Sequence, residues 1–196
     1  MKRRIIASIF GIGFTSLFLF ISNNLIAQSN SKTPELDKSP MDMSYLPKDY
    51  PLLKMNGKSK DLPIARVIYS RPQKNNREIF GGIIPYNEIW RLGANESTEI
   101  EFFKGVKIDG KAISKGRYTL LCIPQQNKWA LILNKDNFSW GSFNYDAKKD
   151  VVRIDCTVEK TTETIEALSI YFEQTTIGAN LIIAWENNKA ILPITW

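Results

Sequence analysis

The sequence predicts an all-β protein: an antiparallel β-sandwich, jelly-roll-like or barrel-like, of roughly nine or ten short strands with at most one short helical turn. Three observations predict it. From Ile64 onward, β-branched and aromatic runs alternate apolar with polar residues, the pattern of strands with one buried face. Gly, Pro, Asn and Asp interrupt these runs at about the 8–12-residue spacing of a sandwich or barrel. No stretch sustains the apolar period of a long helix.

The elements follow in order. Residues 41–53, MDMSYLPKDYPLL, are apolar enough to lie against the domain, but Pro47 and Pro51 argue for an extended segment rather than a helix or central strand. IARVIY, 64–69, is a strand stopped by Arg71-Pro72. A long connection, IFGGIIPYNEIWRLGANES at 79–97, holds the one expected helical turn, with Pro85 at its first position and Tyr86, Ile89 and Trp90 on one face. Residues 98–103 place Ile100 and Phe102 opposite Glu99 and Glu101. Asp109-Gly110 between VKI and KAI is a two-residue hairpin signal. RYTLLCI, 117–123, and KWALIL, 128–133, flank a polar turn and should pair. Alternation at 152–158 and again at 168–172 predicts two half-buried strands. Residues 181–186 and 189–194 flank Asn187-Asn188, where a tight hairpin is expected.

The N-terminus reads as an export signal. Lys2-Arg3-Arg4 precedes an uncharged apolar run at 5–21, and Leu25-Ile-Ala27 offers a small-residue cleavage site before Gln28. This divides the chain into a signal peptide at 1–27, a flexible polar tether at 28–40 and a single β domain at 41–196. The protein is expected to be exported, periplasmic or secreted. It is not expected to be a lipoprotein, because no cysteine stands near the cleavage point. The apolar run approaches the length of a short membrane span, so an uncleaved anchor is the alternative and the one expected route to a membrane. Setting the three signal cations aside lowers the formal charge from +6 to +3. With no basic stripe, nucleic acid is not an expected partner.

The chain has no histidine. Ser–His and Cys–His catalysis in their usual forms are excluded, as are histidine-ligated metal sites. No metal site or cofactor is expected. Chemistry would rest on carboxylates, Lys, Tyr, Cys or Ser, and no catalytic motif is recognisable. Two cysteines, Cys122 and Cys156, sit in apolar strand patterns. They are either a disulfide in an oxidising compartment or two buried thiols.

The order Tyr69-Ser-Arg-Pro72, Ile79-Phe-Gly-Gly82, Pro85-Tyr86, Trp90-Arg-Leu-Gly-Ala-Asn-Glu96, Gly116-Arg-Tyr118, Ile123-Pro124, Asn134-Lys-Asp136 and Trp140-Gly141 resembles a known family over residues 41–196. It is the secreted bacterial family catalogued as domain of unknown function 2911 (DUF2911), of Bacteroidetes type. The resemblance implies an exported, β-rich domain and no particular activity.

Candidate binding residues are Arg71, Trp90, Arg91, Asn95, Glu96, Trp140 and Tyr145. Indole and phenol faces stack on flat ligands, while Arg, Asn and Glu supply directional hydrogen bonds. Trp140, Phe143 and Tyr145 share one aromatic loop. The opposing reading is architectural: Trp90 plugs the fold, Arg91 pairs with Glu96 and Gly93 allows a positive-φ turn. Two nearby arginines, Arg71 and Arg91, would favour an anion. The favoured function is non-catalytic binding of a small ligand, a carbohydrate or an anionic group, or of an envelope protein. A carboxylate-dependent glycan hydrolase using Glu96 or Glu99 is one alternative. A purely structural envelope protein is the other. Asp136, Asp146 and Asp150 lack the ligand spacing of a calcium loop.

Overall fold

Two strands far longer than the sequence suggested organise the fold. The structure is a computed structural model and describes residues 33–196. The expected signal and the first part of the expected tether lie outside the described residues. Nine strands form one antiparallel sheet: β1 Met41–Leu46, β2 Ala65–Ser70, β3 Glu99–Phe102, β4 Val106–Ile108, β5 Lys111–Ile113, β6 Gly116–Pro124, β7 Lys128–Asn134, β8 Asp150–Gln174 and β9 Gly178–Thr195. Their order across the sheet is β1-β2-β3-β6-β7-β8-β9-β4-β5. The all-β expectation and the strand number hold. The Asp109-Gly110 hairpin forms as expected, with φ of 51° and 71° at its two corners.

The alternating runs at 152–158 and 168–172 are one strand, β8. The expected hairpin at Asn187-Asn188 does not form; both residues continue β9. The β8–β9 register shifts between Lys160 and Ile165 and again between Ile165 and Ser169, and Glu186 takes a φ of 55°. Polar residues here make bulges, which bend and twist a strand without ending it.

The bend has a topological result. The second half of β8 reaches β1 and the end of β2, at the far side of the sheet. Gln73 bridges to Ala167, the Lys74 N–H donates to the Glu166 carbonyl at 2.7 Å, and the Leu168 N–H donates to the Pro72 carbonyl at 3.0 Å. The sheet thus curls around one core, to which Val67, Ile100, Leu120, Leu131, Ile170 and Ile183 contribute from six different strands. Leu36–Trp196 make one compact unit.

Two local expectations change. The segment 41–53 is not simply extended: it forms β1 and then a short helix, α1 Tyr50–Met55. Pro51 sits in the first turn of α1, where a missing N–H has no helical partner to lose. The turn expected at 85–92 is not helical; that stretch has a turn at Tyr86-Asn87, then bends and a bridge from Trp90 to β6.

β9 is so curved that its first residue packs on its own end. A Cβ at Gly178 would overlap the Ile194 carbonyl and lie 3.0 Å from the Thr195 Cα. Backbone cannot yield as a side chain can, so Gly178→Ala is expected to lower the unfolding free energy in urea by about 2–3 kcal/mol. An unchanged midpoint would contradict this close approach.

Candidate functional site

β3 has four residues and its neighbour β6 has nine, so half of β6 would be left with an open edge. The connection 71–98 fills it. The Asn87 N–H donates to the Pro124 carbonyl at 2.9 Å, Trp90 and Cys122 exchange backbone hydrogen bonds, and the Leu120 N–H donates to the Thr98 carbonyl at 2.8 Å. Buried backbone groups need such partners. The loop is therefore as fixed as a strand without being one.

Trp90 holds it in place. The indole is 4% exposed and stacks on Trp185 at 6.0 Å. It meets Trp129 and Phe80 edge-on at 6.2 and 5.9 Å, and its Nε1 donates to the Gly93 carbonyl at 3.1 Å. Trp90 is packed inside the fold, as the architectural reading expects, and although it borders the third hollow it presents little surface there. Gly93 acts differently from the expectation. The positive φ belongs to buried Leu92, at 57°, and to Asn95, at 58°. Gly93 is needed because a Cβ there would come within 2.8 Å of the Ser70 Oγ, which bonds both backbone groups of Ala94 at 2.6 Å.

The second loop, residues 135–149 between β7 and β8, locks onto the first. Glu96 and Trp140 form an isolated bridge. The Ser97 N–H donates to the Ser139 carbonyl, the Gly141 N–H to the Asn95 carbonyl, both at 2.9 Å, and the Ser97 Oγ to the Gly141 carbonyl at 2.6 Å. Loops tied in this way on a rigid sheet are suited to carry function. Backbone strain gathers here too: Leu92 and Phe138, neither Gly nor Asn, both hold left-handed φ, and such outliers cluster at functional sites.

The aromatics of the second loop face outward. Trp140 is 61% exposed and Phe143 79%, and their rings stack at 5.9 Å with 19° between planes. Gly141 makes the stack possible: at φ 74°, a Cβ would come within 2.6 Å of the Phe143 ring. Sequence reasoning named Trp140 and left Phe143 out of the site; the Trp-Gly-x-Phe spacing was the available signal. The Arg91 guanidinium sits 6.0 Å from the Trp140 ring centre, within cation–π range.

Three hollows surround the stack. One, of about 330 Å³, lies beside Trp140 and is lined mainly by neutral hydrogen-bonding groups, among them Asn137, Ser139, Asn144 and Tyr145, together with Asp136. A second, of about 420 Å³, has Asn95, Glu96 and Asp37 around Trp140, with Asn95 Nδ2 donating to Asp37 at 2.9 Å. The third, of about 400 Å³, has Arg91, Phe143, Ser142 and exposed Glu88 against Ile83 and Ile84.

Arg91 does not pair with Glu96. Among the described residues its side chain makes no ion pair and no hydrogen bond, and its Nε is buried. Burial lowers its pKa from the ordinary value, though a guanidinium remains charged at physiological pH. Arg71 is spent elsewhere. Its Nη1 pairs with Asp42 at 3.1 Å, Nε donates to the Leu168 carbonyl at 3.1 Å and Nη2 to Ser169 at 3.2 Å, so it ties β1 to β8 and lines none of the three hollows. Tyr145 lines the first hollow but its hydroxyl is committed, donating to Asp150 at 2.7 Å and accepting from Arg153 at 2.9 Å. Burial, then the Asp150 bond, raise its pKa.

The carboxylates are mostly engaged. Glu99 accepts from the Phe138 N–H at 2.9 Å and lies 3.5 Å from Arg117, and Glu101 pairs with Arg66 at 2.6 Å. Asp136 pairs with Lys149 at 2.7 Å, Asp146 caps the turn Ala147–Lys149, and Asp150 accepts from Asn134 as well as Tyr145. Cys122 and Cys156 are free thiols, not a disulfide. β7 lies between their strands, with Leu131 opposite Cys122 and Trp129 opposite Cys156. Two strand spacings make roughly 9.5 Å, beyond the roughly 4.4–6.8 Å a disulfide spans. Burial pushes the Cys156 thiol up to about 12 and Cys122 well above its ordinary value, so neither supplies a thiolate at neutral pH.

The two tryptophans of the site should behave oppositely. Trp90→Ala is expected to lower stability by about 3–5 kcal/mol, as for other large buried aromatics. Trp140→Ala should change it by less than about 1 kcal/mol. Urea denaturation of the two variants checks this; comparable losses would mean that Trp140 serves the fold.

No curated protein and no solved structure matches the chain. Residues 53–194 match the family described as "Protein of unknown function (DUF2911)". That span takes in both loops, the Trp90 anchor and every strand but β1 in whole or nearly so. The chain is a member of the DUF2911 family.

Proposed function

We propose that this domain is a non-catalytic saccharide-binding module of an exported protein. The observation that carries the reading is the Trp140–Phe143 stack, exposed to solvent yet held by a loop hydrogen-bonded to its neighbour. A water-exposed pair of large rings gains nothing from burial in the fold, and groups of this kind mark contact sites. Sugar rings offer an apolar C–H face to such rings and hydroxyls to their surroundings. The Asn144 amide and the unpartnered Asn137 Oδ1 in the hollow beside Trp140 suit those hydroxyls. Export rests on the reading of residues 1–27 as a signal.

Isothermal titration of the domain against a panel of neutral and acidic oligosaccharides tests the reading. At least one is expected to bind, and Trp140→Ala is expected to weaken it by about tenfold, the scale of an aromatic contact. Absence of binding across the panel, or unchanged binding by Trp140→Ala, would overturn it.

A further inference from the structure

Arg91 raises a question that the fold does not answer. A guanidinium has five N–H donors and a fixed charge. Here its Nε is buried without a partner and the remaining nitrogens make no hydrogen bond among the described residues. Arg66 also buries an unpartnered Nε, but its Nη2 pairs with Glu101 at 2.6 Å, and Arg117 and Arg71 have Glu99 and Asp42 as counterions; Arg91 has no counterion among the described residues. Leaving a partly buried charge without a counterion is unfavourable, and an unsatisfied buried polar group in a folded protein calls for an explanation.

Its position supplies one. Arg91 lies at the Trp140 ring and lines the hollow of about 400 Å³ that Phe143 also borders. A ligand stacked on Trp140 and Phe143 would therefore bring its substituents to the guanidinium. From this geometry, and resting on the saccharide reading, we infer that the ligand is a carboxylated sugar of the uronic acid class, its carboxylate received by Arg91. The planar guanidinium matches a planar carboxylate. One cation meets one negative charge. Glu88 lines the same hollow; its carboxylate opposes any anion, a doubly charged phosphate ester more than a single carboxylate, and it can accept a hydrogen bond from a neighbouring sugar hydroxyl. The division of labour is then simple. Trp140 and Phe143 bind the ring whatever its charge, and Arg91 selects the acid.

The experiment titrates the full chain with oligogalacturonate, oligoglucuronate and oligomannuronate, each beside its methyl ester, which keeps the ring and removes the charge. Wild type is expected to prefer at least one acid over its ester by about tenfold, the scale of a charge-assisted hydrogen bond. Arg91→Gln should weaken the acid far more than the ester and so erase that preference; Arg91→Lys, which keeps the charge without the planar fork, should retain part of it. Trp140→Ala should weaken acid and ester alike. Equal binding of acid and ester, both lost in Trp140→Ala, would overturn the carboxylate inference and leave the saccharide reading standing. Binding of neither form of any pair would overturn the inference; only failure of the whole neutral panel as well would remove the saccharide reading. Tighter binding of a sulfated oligosaccharide than of every uronate would overturn the choice of carboxylate. If Arg91→Gln does not fold, the acid–ester comparison in wild type decides.

Discussion

Burial of the Trp90 indole against Trp185, Trp129 and Phe80 fixes the connection 71–98 on the sheet. Much else follows from it. The backbone on either side is held at β6, which gives that strand the partner that short β3 cannot provide. Ser97 and Asn95 then stand where the second loop can hydrogen-bond to them. That loop, so pinned, has its Trp140 and Phe143 rings outside rather than in the core. A buried tryptophan thus positions an exposed one.

The large scale of the fold was legible because its signals are local. Period-two alternation marked nearly every strand, and Asp109-Gly110 marked its hairpin without reference to the rest of the chain. The errors came where distant contacts decide. Asn187-Asn188 has the chemistry of a turn, yet the pairing of β9 with β8 carries the chain straight through, with bulges taking up the irregularity. Pro51 argues against a helix by its chemistry alone, yet the first helical turn tolerates proline, and that is where it sits. Residues 85–92 lost their expected helical turn because β6 offered Asn87 and Trp90 backbone partners.

The site divided in the same way. Aromatic loop residues were visible as a class, but sequence does not say which ring is turned inward. Trp90 and Trp140 are both loop tryptophans with a glycine within three residues after them, and the structure buries one and exposes the other. Nor could pairing be read: Glu96, close to Arg91 in sequence, leaves it alone, whereas Asp42 and Ser169, remote from Arg71, capture it. Phe143 and Glu88 enter the site only through folding, by the turn at Gly141 and by the shape of the third hollow. What folding brings together at the surface is an aromatic stack beside a cation without a counterion among the described residues.

The central claim is that the two loops form one rigid platform anchored from within. Amide hydrogen exchange of the native domain, followed at Ser97 and Gly141, tests it most directly, because these two N–H groups make the hydrogen bonds that join the loops. They are expected to exchange as slowly as amides of central β6 and β7, through global rather than local opening. Rapid exchange at Ser97 and Gly141 with the strands still protected would contradict the account, since it would show loops that move independently of the sheet beneath them.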